Sequence, residues 1–389
     1  NDNFGFSVAL SKDGNTLAVG AKFEASAATG INGNQFDDSA SNAGAVYVFN
    51  RSGGLWHQQA DIKASNTGAN DEFGYSVSLS DDGNSLAVGA MGEASAATGI
   101  NGNGADNTAS FSGAAYVFTR SGTTWSQQAY VKASNTGAND EFGFSVGLSG
   151  DGNTLAVGAR QEASAATGIN GNGSDNSVTD AGAAYVYGRS GTTWSQQAYL
   201  KGPTTAAYDE LGCSVSLSSD GSLLAVGALG AGGGGTTYVF KRSGMSWSEQ
   251  AAVVASNPDS GDYFGTSVAL SRDGNTLAVG ANFEASLSPG INADQSDNSG
   301  PGAGAAYVFT WSGTSWDQQA YIKASNPDAN IDSDTADEFG TSISIASDGD
   351  TLVVGAPGEQ SSATGVDGNQ ADNSFFAAGA AYVFTRSGP

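Results

Sequence analysis

One cysteine and one histidine occur in 389 residues, together with seven prolines and 14 basic side chains. A single Cys213 excludes an internal disulfide framework. It stands where other segments carry Phe6, Tyr75 or Phe144, the place of a buried thiol rather than a reactive one. The lone His57 excludes a histidine-built metal centre. Corresponding segments carry Ser126, Ser195, Ser248 and Asp317 there, so the expectation is an exposed strand residue and not a triad member. No apolar run is long enough to cross a bilayer as a helix, and because the sequence opens inside the first segment any leader is expected to lie upstream or to have been removed. The bases are outnumbered by 39 acids, for a net charge of -25. That balance repels phosphate backbones and anionic lipid, so nucleic acid and direct membrane insertion are set aside.

Glycine is abundant, at 57 residues, and it is not scattered. An aromatic or leucine precedes glycine at Phe4-Gly5, Phe73-Gly74, Phe142-Gly143, Leu211-Gly212, Phe264-Gly265 and Phe339-Gly340. The period is roughly 70 residues, with one shorter unit, and a period this long filled with short alternating segments indicates radially arranged sheets. In the second unit, Phe73, Tyr75, Val77 and Leu79 alternate with small residues, the period of a strand. An Asp-Gly corner at Asp82-Gly83 leads into a second strand from Ser85 to Ala90. A long Asn/Gly-rich loop, a third strand from Gly113 to Arg120, a short turn and a fourth strand from Trp125 complete the unit. The reading is all-β: one β-propeller domain over 1–389, with six blades of four antiparallel strands near 1–70, 71–139, 140–208, 209–261, 262–336 and 337–389.

Close packing asks the small face at Gly74, Ser76, Ala87 and Gly89 to receive the aromatics of an adjoining blade. Trp56, Trp125, Trp194, Trp247 and Trp316 each open a fourth strand, which suits interblade core better than sugar stacking. Trp311 replaces the arginine of Arg51, Arg120 and Arg189 and is expected at the surface. After Arg386 no fourth strand follows, so the sixth blade is expected to have three strands and an open edge suited to strand addition. A segment beyond these residues, or a strand donated by another subunit, would complete it.

These residues resemble the FG-GAP repeats of integrin α-subunit propellers and their bacterial relatives. Phe-Gly opens the first strand, and Gly-Ala ends the second at Gly20, Gly89, Gly158, Gly227, Gly280 and Gly355; only the last adds the motif's proline, Pro357. The resemblance implies an extracellular, noncatalytic propeller used in adhesion, often carrying calcium. The integrin-type calcium cage lies in an enlarged loop between first and second strands, whereas here that connection is a short corner such as that around Asp13 or Asp220. Six units stand where the integrin arrangement has seven.

Up-and-down connectivity sends the loops between second and third strands, and the connectors between units, to one face. That face receives most of the 39 acids, including Asp71, Glu72, Glu93 and Asp106, against Lys22, Lys63, Lys132, Arg160, Lys201 and Lys323. Cations are expected to neutralise it, calcium first. Five loops repeat an oxygen-bearing pattern: Asn32, Asn34 and Asp37; Asn101, Asn103 and Asp106; Asn170, Asn172 and Asp175; Asn292, Asp294 and Asp297; Asp367, Asn369 and Asp372. Such residues can supply a hard cation, with Glu24, Glu93, Glu162, Glu284 and Glu359 as further ligands, or can order the loop through bonds to its own backbone. A second acidic cluster joins Asp332, Asp334, Asp337 and Glu338.

No repeat-breaking nucleophile or acid/base pair emerges, so the expected function is noncatalytic: a secreted or surface-attached bacterial module presenting its acidic face to a protein or glycan. The alternatives are a structural subunit of an extracellular filament or surface layer and, last, a carbohydrate-active enzyme.

Overall fold

The computed structural model describes residues 2–328 and 336–386. Six antiparallel sheets follow one another in the chain, four-stranded except for the last, and each is ordered as the sequence runs. Blade one comprises β1 (Phe4–Leu10), β2 (Thr16–Ala21), β3 (Ala45–Ser52) and β4 (Leu55–Ile62). Blade two comprises β5 (Phe73–Leu79), β6 (Ser85–Ala90), β7 (Ala114–Ser121) and β8 (Thr124–Val131). Blade three is β9 (Phe142–Leu148), β10 (Thr154–Ala159), β11 (Ala183–Ser190) and β12 (Thr193–Leu200). Blade four is β13 (Leu211–Leu217), β14 (Leu223–Ala228), β15 (Thr236–Ser243) and β16 (Ser246–Val253). Blade five is β17 (Phe264–Leu270), β18 (Thr276–Ala281), β19 (Ala305–Trp311) and β20 (Trp316–Ile322). Blade six stops at three strands: β21 (Ser342–Ile345), β22 (Thr351–Ala356) and β23 (Ala380–Thr385). This is the all-β propeller architecture that the repeat requires.

The chain forms two compact units, one of Asn1–Ser222 with Arg242–Ser248 and one of Leu223–Lys241 with Glu249–Pro389. Within the first, neighbouring blades meet through unlike faces. Val46, Val48 and Ile62 of blade one share a buried cluster with Phe73, Phe118 and Trp125 of blade two. Ala87, Val117 and Val131 of blade two share the next with Phe142, Tyr187 and Trp194 of blade three. An aliphatic face thus receives an aromatic one, and each fully buried large side chain contributes about 1.5–3 kcal/mol. Within the second unit, Ala278 and Ile322 of blade five meet Phe339, Leu352 and Val354 of blade six in the same sense.

The Phe-Gly and Gly-Ala motifs are two halves of one contact. Ser76 Oγ donates to the Gly143 carbonyl at 2.8 Å, and a Cβ on Gly89 would lie 1.9 Å from that oxygen. Gly143 itself has φ +93 and lies against the Ala114 carbonyl, so a side chain is excluded on both counts. A register shift between Phe73 and Ser76 in the pairing of β5 with β6 turns Ser76 toward the next blade. The expectation that Ser76 and Gly89 would receive aromatic rings is therefore corrected: they receive backbone, while Ala87 joins the aromatic cluster.

Trp125, Trp194 and Trp247 are buried as the interblade reading required, and Trp125 Nε1 donates to Gln59 Oε1 of the preceding blade at 2.9 Å. Trp56 departs, at 42% exposure. Trp311 is half-buried rather than exposed, because its ring packs at a tilt against Trp316, with centroids 5.6 Å apart, where other blades set an arginine over the tryptophan. Cys213 is buried, and His57 is exposed on β4.

Candidate functional site

The long loops of blade two, residues 91–113, and the connector between β4 and β5, residues 63–72, project from one end of the blade. They are anchored by a buried polar network that the sequence reading did not foresee. Glu93 Oε2 lies 2.7 Å from Lys132 Nζ, with both side chains essentially inaccessible. Glu93 Oε1 accepts from Asn66 Nδ2 at 2.9 Å and from the Tyr130 hydroxyl at 3.0 Å. Asn66 Oδ1 in turn accepts from the Tyr116 hydroxyl at 2.8 Å, and Lys132 also donates to Ser112 Oγ at 2.8 Å. Glu162–Lys201 and Glu284–Lys323 repeat the pair at 3.0 and 2.8 Å, with Asn135 and Asn257 as amide donors, and Glu24–Lys63 repeats it in blade one at 2.5 Å.

A buried ion pair of this kind is sustained by the further hydrogen bonds made by its carboxylate oxygens and ammonium group. Glu24, Glu93, Glu162 and Glu284, weighed as further cation ligands from the sequence, are therefore lysine partners. The signal was present: blade four carries Ala231, Ala252 and Val254 at the positions of the glutamate, tyrosine and lysine, and Thr204 at that of the asparagine. All four are absent together in blade four, whereas blade one keeps the glutamate and the lysine with Asp61 at the tyrosine position.

Lys22 sits 3.9 Å from the Phe6 ring centre and 3.7 Å from Glu72 Oε2, and Arg160 donates to Glu141 Oε2 at 2.7 Å over the Phe144 ring. All six bases assigned to this face thus have internal anionic partners. Behind them lie buried aspartates. Asp71 and Asp262 are pushed up to about 6 and Asp140 to about 7, in each case chiefly by burial, although each accepts a backbone N–H in its connector. Asp337 behaves likewise, at about 6, while Asp332 and Asp334 lie outside the described residues.

The five Asn/Asp patterns have a common geometry. Their first members, Asn32, Asn101, Asn170, Asn292 and Asp367, all take positive φ, which Asn and Asp tolerate best. In four of them the side-chain oxygen accepts the N–H of a fourth-strand residue: Asn32 from Asp61, Asn101 from Tyr130, Asn170 from Tyr199 and Asn292 from Tyr321. The second members, Asn34, Asn103, Asn172, Asp294 and Asn369, each accept the N–H two residues on. So do the third, Asp37, Asp106, Asp175, Asp297 and Asp372. These are Asx turns that order the loop. Among the described residues no three Asp, Glu, His or Cys side chains converge as a metal centre.

Four exposed aromatics in these loops break the repeat: Phe36, Phe111 and, in blade six, Phe375 and Phe376. Phe36 stands where other blades have Ala105, Ser174, Ser296 and Ala371, and it is 95% exposed. Phe111 is exposed with φ +53, a conformation that a bulky residue holds only under strain.

A family model described as FG-GAP repeat matches residues 56–118, 125–187, 194–240 and 247–309. The chain belongs to the FG-GAP repeat family. Each match starts at a tryptophan of a fourth strand and ends in the third strand of the following blade, so the FG-GAP sequence unit spans the interblade contact. No curated protein matches the chain. Among solved structures, a putative 6-phosphogluconolactonase from Bacteroides uniformis superposes with a TM-score of 0.53 at 11% identity, covering 97% of this chain and 88% of its own. The Swd1 β-propeller domain from Myceliophteria thermophila gives 0.49 at 10% identity, covering 90% and 80%. At such identities the first likeness concerns the fold. Among the described residues no helix is long and apolar enough to cross a membrane.

Proposed function

We propose that this FG-GAP propeller is a noncatalytic recognition module, exported to the cell surface or medium, whose acidic loop face contacts a protein or glycan. Phe36 carries the reading: a fully presented aromatic that no repeat position requires, set among carboxylates whose neighbouring bases have internal partners. The buried glutamates hold lysines and the lone histidine is exposed on a strand, which favours binding over turnover. The test is a glycan array and a panel of surface proteins probed with the wild-type chain and with Phe36→Ser and Phe111→Asn. Retention should fall for the variants while Tm is unchanged or, for Phe111→Asn, slightly higher. Equal retention by all three would end the loop-face reading.

A second reading, a subunit of an extracellular filament or layer, is favoured by blade one. Phe4 is 59% exposed and Trp56 42%, whereas Phe73 and Trp125 of blade two are buried. Assembly that rises with protein concentration in analytical ultracentrifugation is its signature.

A further inference from the structure

On the loop face of blade three, departures from the repeat gather in one place. At each junction of the first compact unit a loop residue and a connector residue, both of positive φ, lie side by side: Asn42 with Asn70, Phe111 with Asn139, and Asp180 with Tyr208. The backbone holds each couple in the same way. The connector residue donates its N–H to the carbonyl just before the loop residue, and the glutamate two positions on donates to the loop residue's own carbonyl, at 2.8 to 3.0 Å in all three. At the first junction the side chains themselves touch, with Asn42 Nδ2 donating to Asn70 Oδ1 at 3.2 Å.

Asparagine enters the left-handed region readily, whereas phenylalanine and tyrosine do not. Phe111 nevertheless holds φ +53 at 38% exposure, in the place of Asn42, and Tyr208 holds φ +65 at 61% exposure, in the place of Asn70 and Asn139. Packing returns little to Tyr208 for a conformation it does not favour. Arg160 ties these two junctions together: its Nε donates to Glu141 Oε2 at 2.7 Å and its Nη1 lies 3.8 Å from Glu210 Oε2. Blades two and four carry Met91 and Leu229 at that position. The guanidinium rests over the Phe144 ring at 4.1 Å and the side chain keeps 29% of its surface accessible. A polar centre therefore lies between two strained, presented aromatics, with Asn139 beside one and Asp180 beside the other.

We infer that this cluster binds a neutral oligosaccharide of equatorially substituted pyranoses. Phe111 and Tyr208 offer aromatic surface to the C–H side of a sugar ring, and Asn139, Asp180 and Arg160 offer acceptors and donors to its hydroxyls. A protein hot spot asks for a contiguous, desolvated apolar cluster. Here polar groups separate the aromatics, an alternation that matches the C–H and O–H surfaces of a sugar chain. Glu141, Glu210 and Asp180 outweigh the single Arg160, so an anionic sugar is repelled. The aromatics stand one junction apart, which calls for several linked residues rather than one. The inference rests on the loop-face reading and names its ligand class.

Cellohexaose and N-acetylchitohexaose are titrated into the full chain by isothermal calorimetry, with cellohexaose oxidised to the carboxylate at C6 as the anionic counterpart. Binding of at least one neutral hexamer, at one per chain and in preference to the oxidised one, is expected. Phe111→Asn and Tyr208→Asn install the residue of the other junctions, so both should fold with Tm unchanged or slightly raised, and each should weaken binding about 10-fold. No binding of either neutral hexamer at millimolar concentration, binding that both variants leave intact, or equal binding of the oxidised hexamer overturns the inference. In any of these cases, retention of the chain by a surface protein through Phe36 would leave the wider loop-face reading standing.

Discussion

Ser76 Oγ and the carbonyl oxygen of Gly143 lie 2.8 Å apart across the junction of blades two and three. The same bond recurs from Ser7 to Gly74, from Ser145 to Gly212 and from Ser267 to Gly340. Ser76→Ala should cost about 1 kcal/mol, the net value of one buried bond. Gly89→Ala should cost several times more, because its methyl would collide with the backbone at that carbonyl. Urea denaturation of both variants measures the ratio, and equal costs would show that the junction yields.

Lys132→Met leaves Glu93 buried without a counter-ion and should cost about 3–5 kcal/mol. Adding Glu93→Gln removes the charge while keeping an oxygen and part of the bonding, so the double variant should recover part of that loss. A double variant no more stable than Lys132→Met alone would mean that the pair is not what holds the loop base.

The Asx turns separate two accounts of the acidic loops. Asn at position 106 or 175 can accept the same N–H as aspartate, so Asp106→Asn and Asp175→Asn should leave Tm almost unchanged. Asp106→Ala should lose about 1 kcal/mol. Chelation should have no effect on any of the three. A Tm that falls on chelation, less so in the Asn variants, would restore calcium to these loops.

Burial raises the carboxyls of Asp71, Asp262 and Asp337 to about 6 and of Asp140 to about 7, above the ordinary value of 3.8. For an acid raised in the folded state, the favourable contribution is fully present below the unfolded value and is lost as pH rises through the folded one. Tm should therefore fall from about pH 4, near the unfolded value, to about pH 7 and level off above it. Asp140→Asn, which still accepts the Gly137 N–H, should flatten that slope and be the more stable protein at pH 8. A slope of opposite sign, or one untouched by Asp140→Asn, would assign the pH response to other groups.

The propeller was legible because each local choice repeats. Phe-Gly, Asp-Gly and Gly-Ala sit at fixed offsets, and alternation marks the strands around them. The Glu93–Lys132 pair was not, because a lysine and a glutamate 39 positions apart in a chain of 39 acids look like surface charge until the fold brings them together inside. The destination of Ser76 was hidden for another reason: its partner is a backbone carbonyl 67 residues away, which carries no side-chain signature. Phe36 was visible only as a break in a loop pattern, since exposure is a property of the folded loop. Trp311 shows the limit of reading one substitution alone. Replacing an arginine looked like exposure, yet the ring found Trp316.

Asn66, Asn135, Asn257 and Asn326 each leave one blade and serve the next. The cooperative element is therefore offset from the visible blade, and nearest-neighbour coupling has a direction. Loss of a preceding connector strips an amide donor from the glutamate downstream, whereas trimming a following blade leaves the upstream network whole. Within each compact unit, melting that starts at an amino-proximal blade should spread forward more readily than melting that starts at a carboxy-proximal one spreads back.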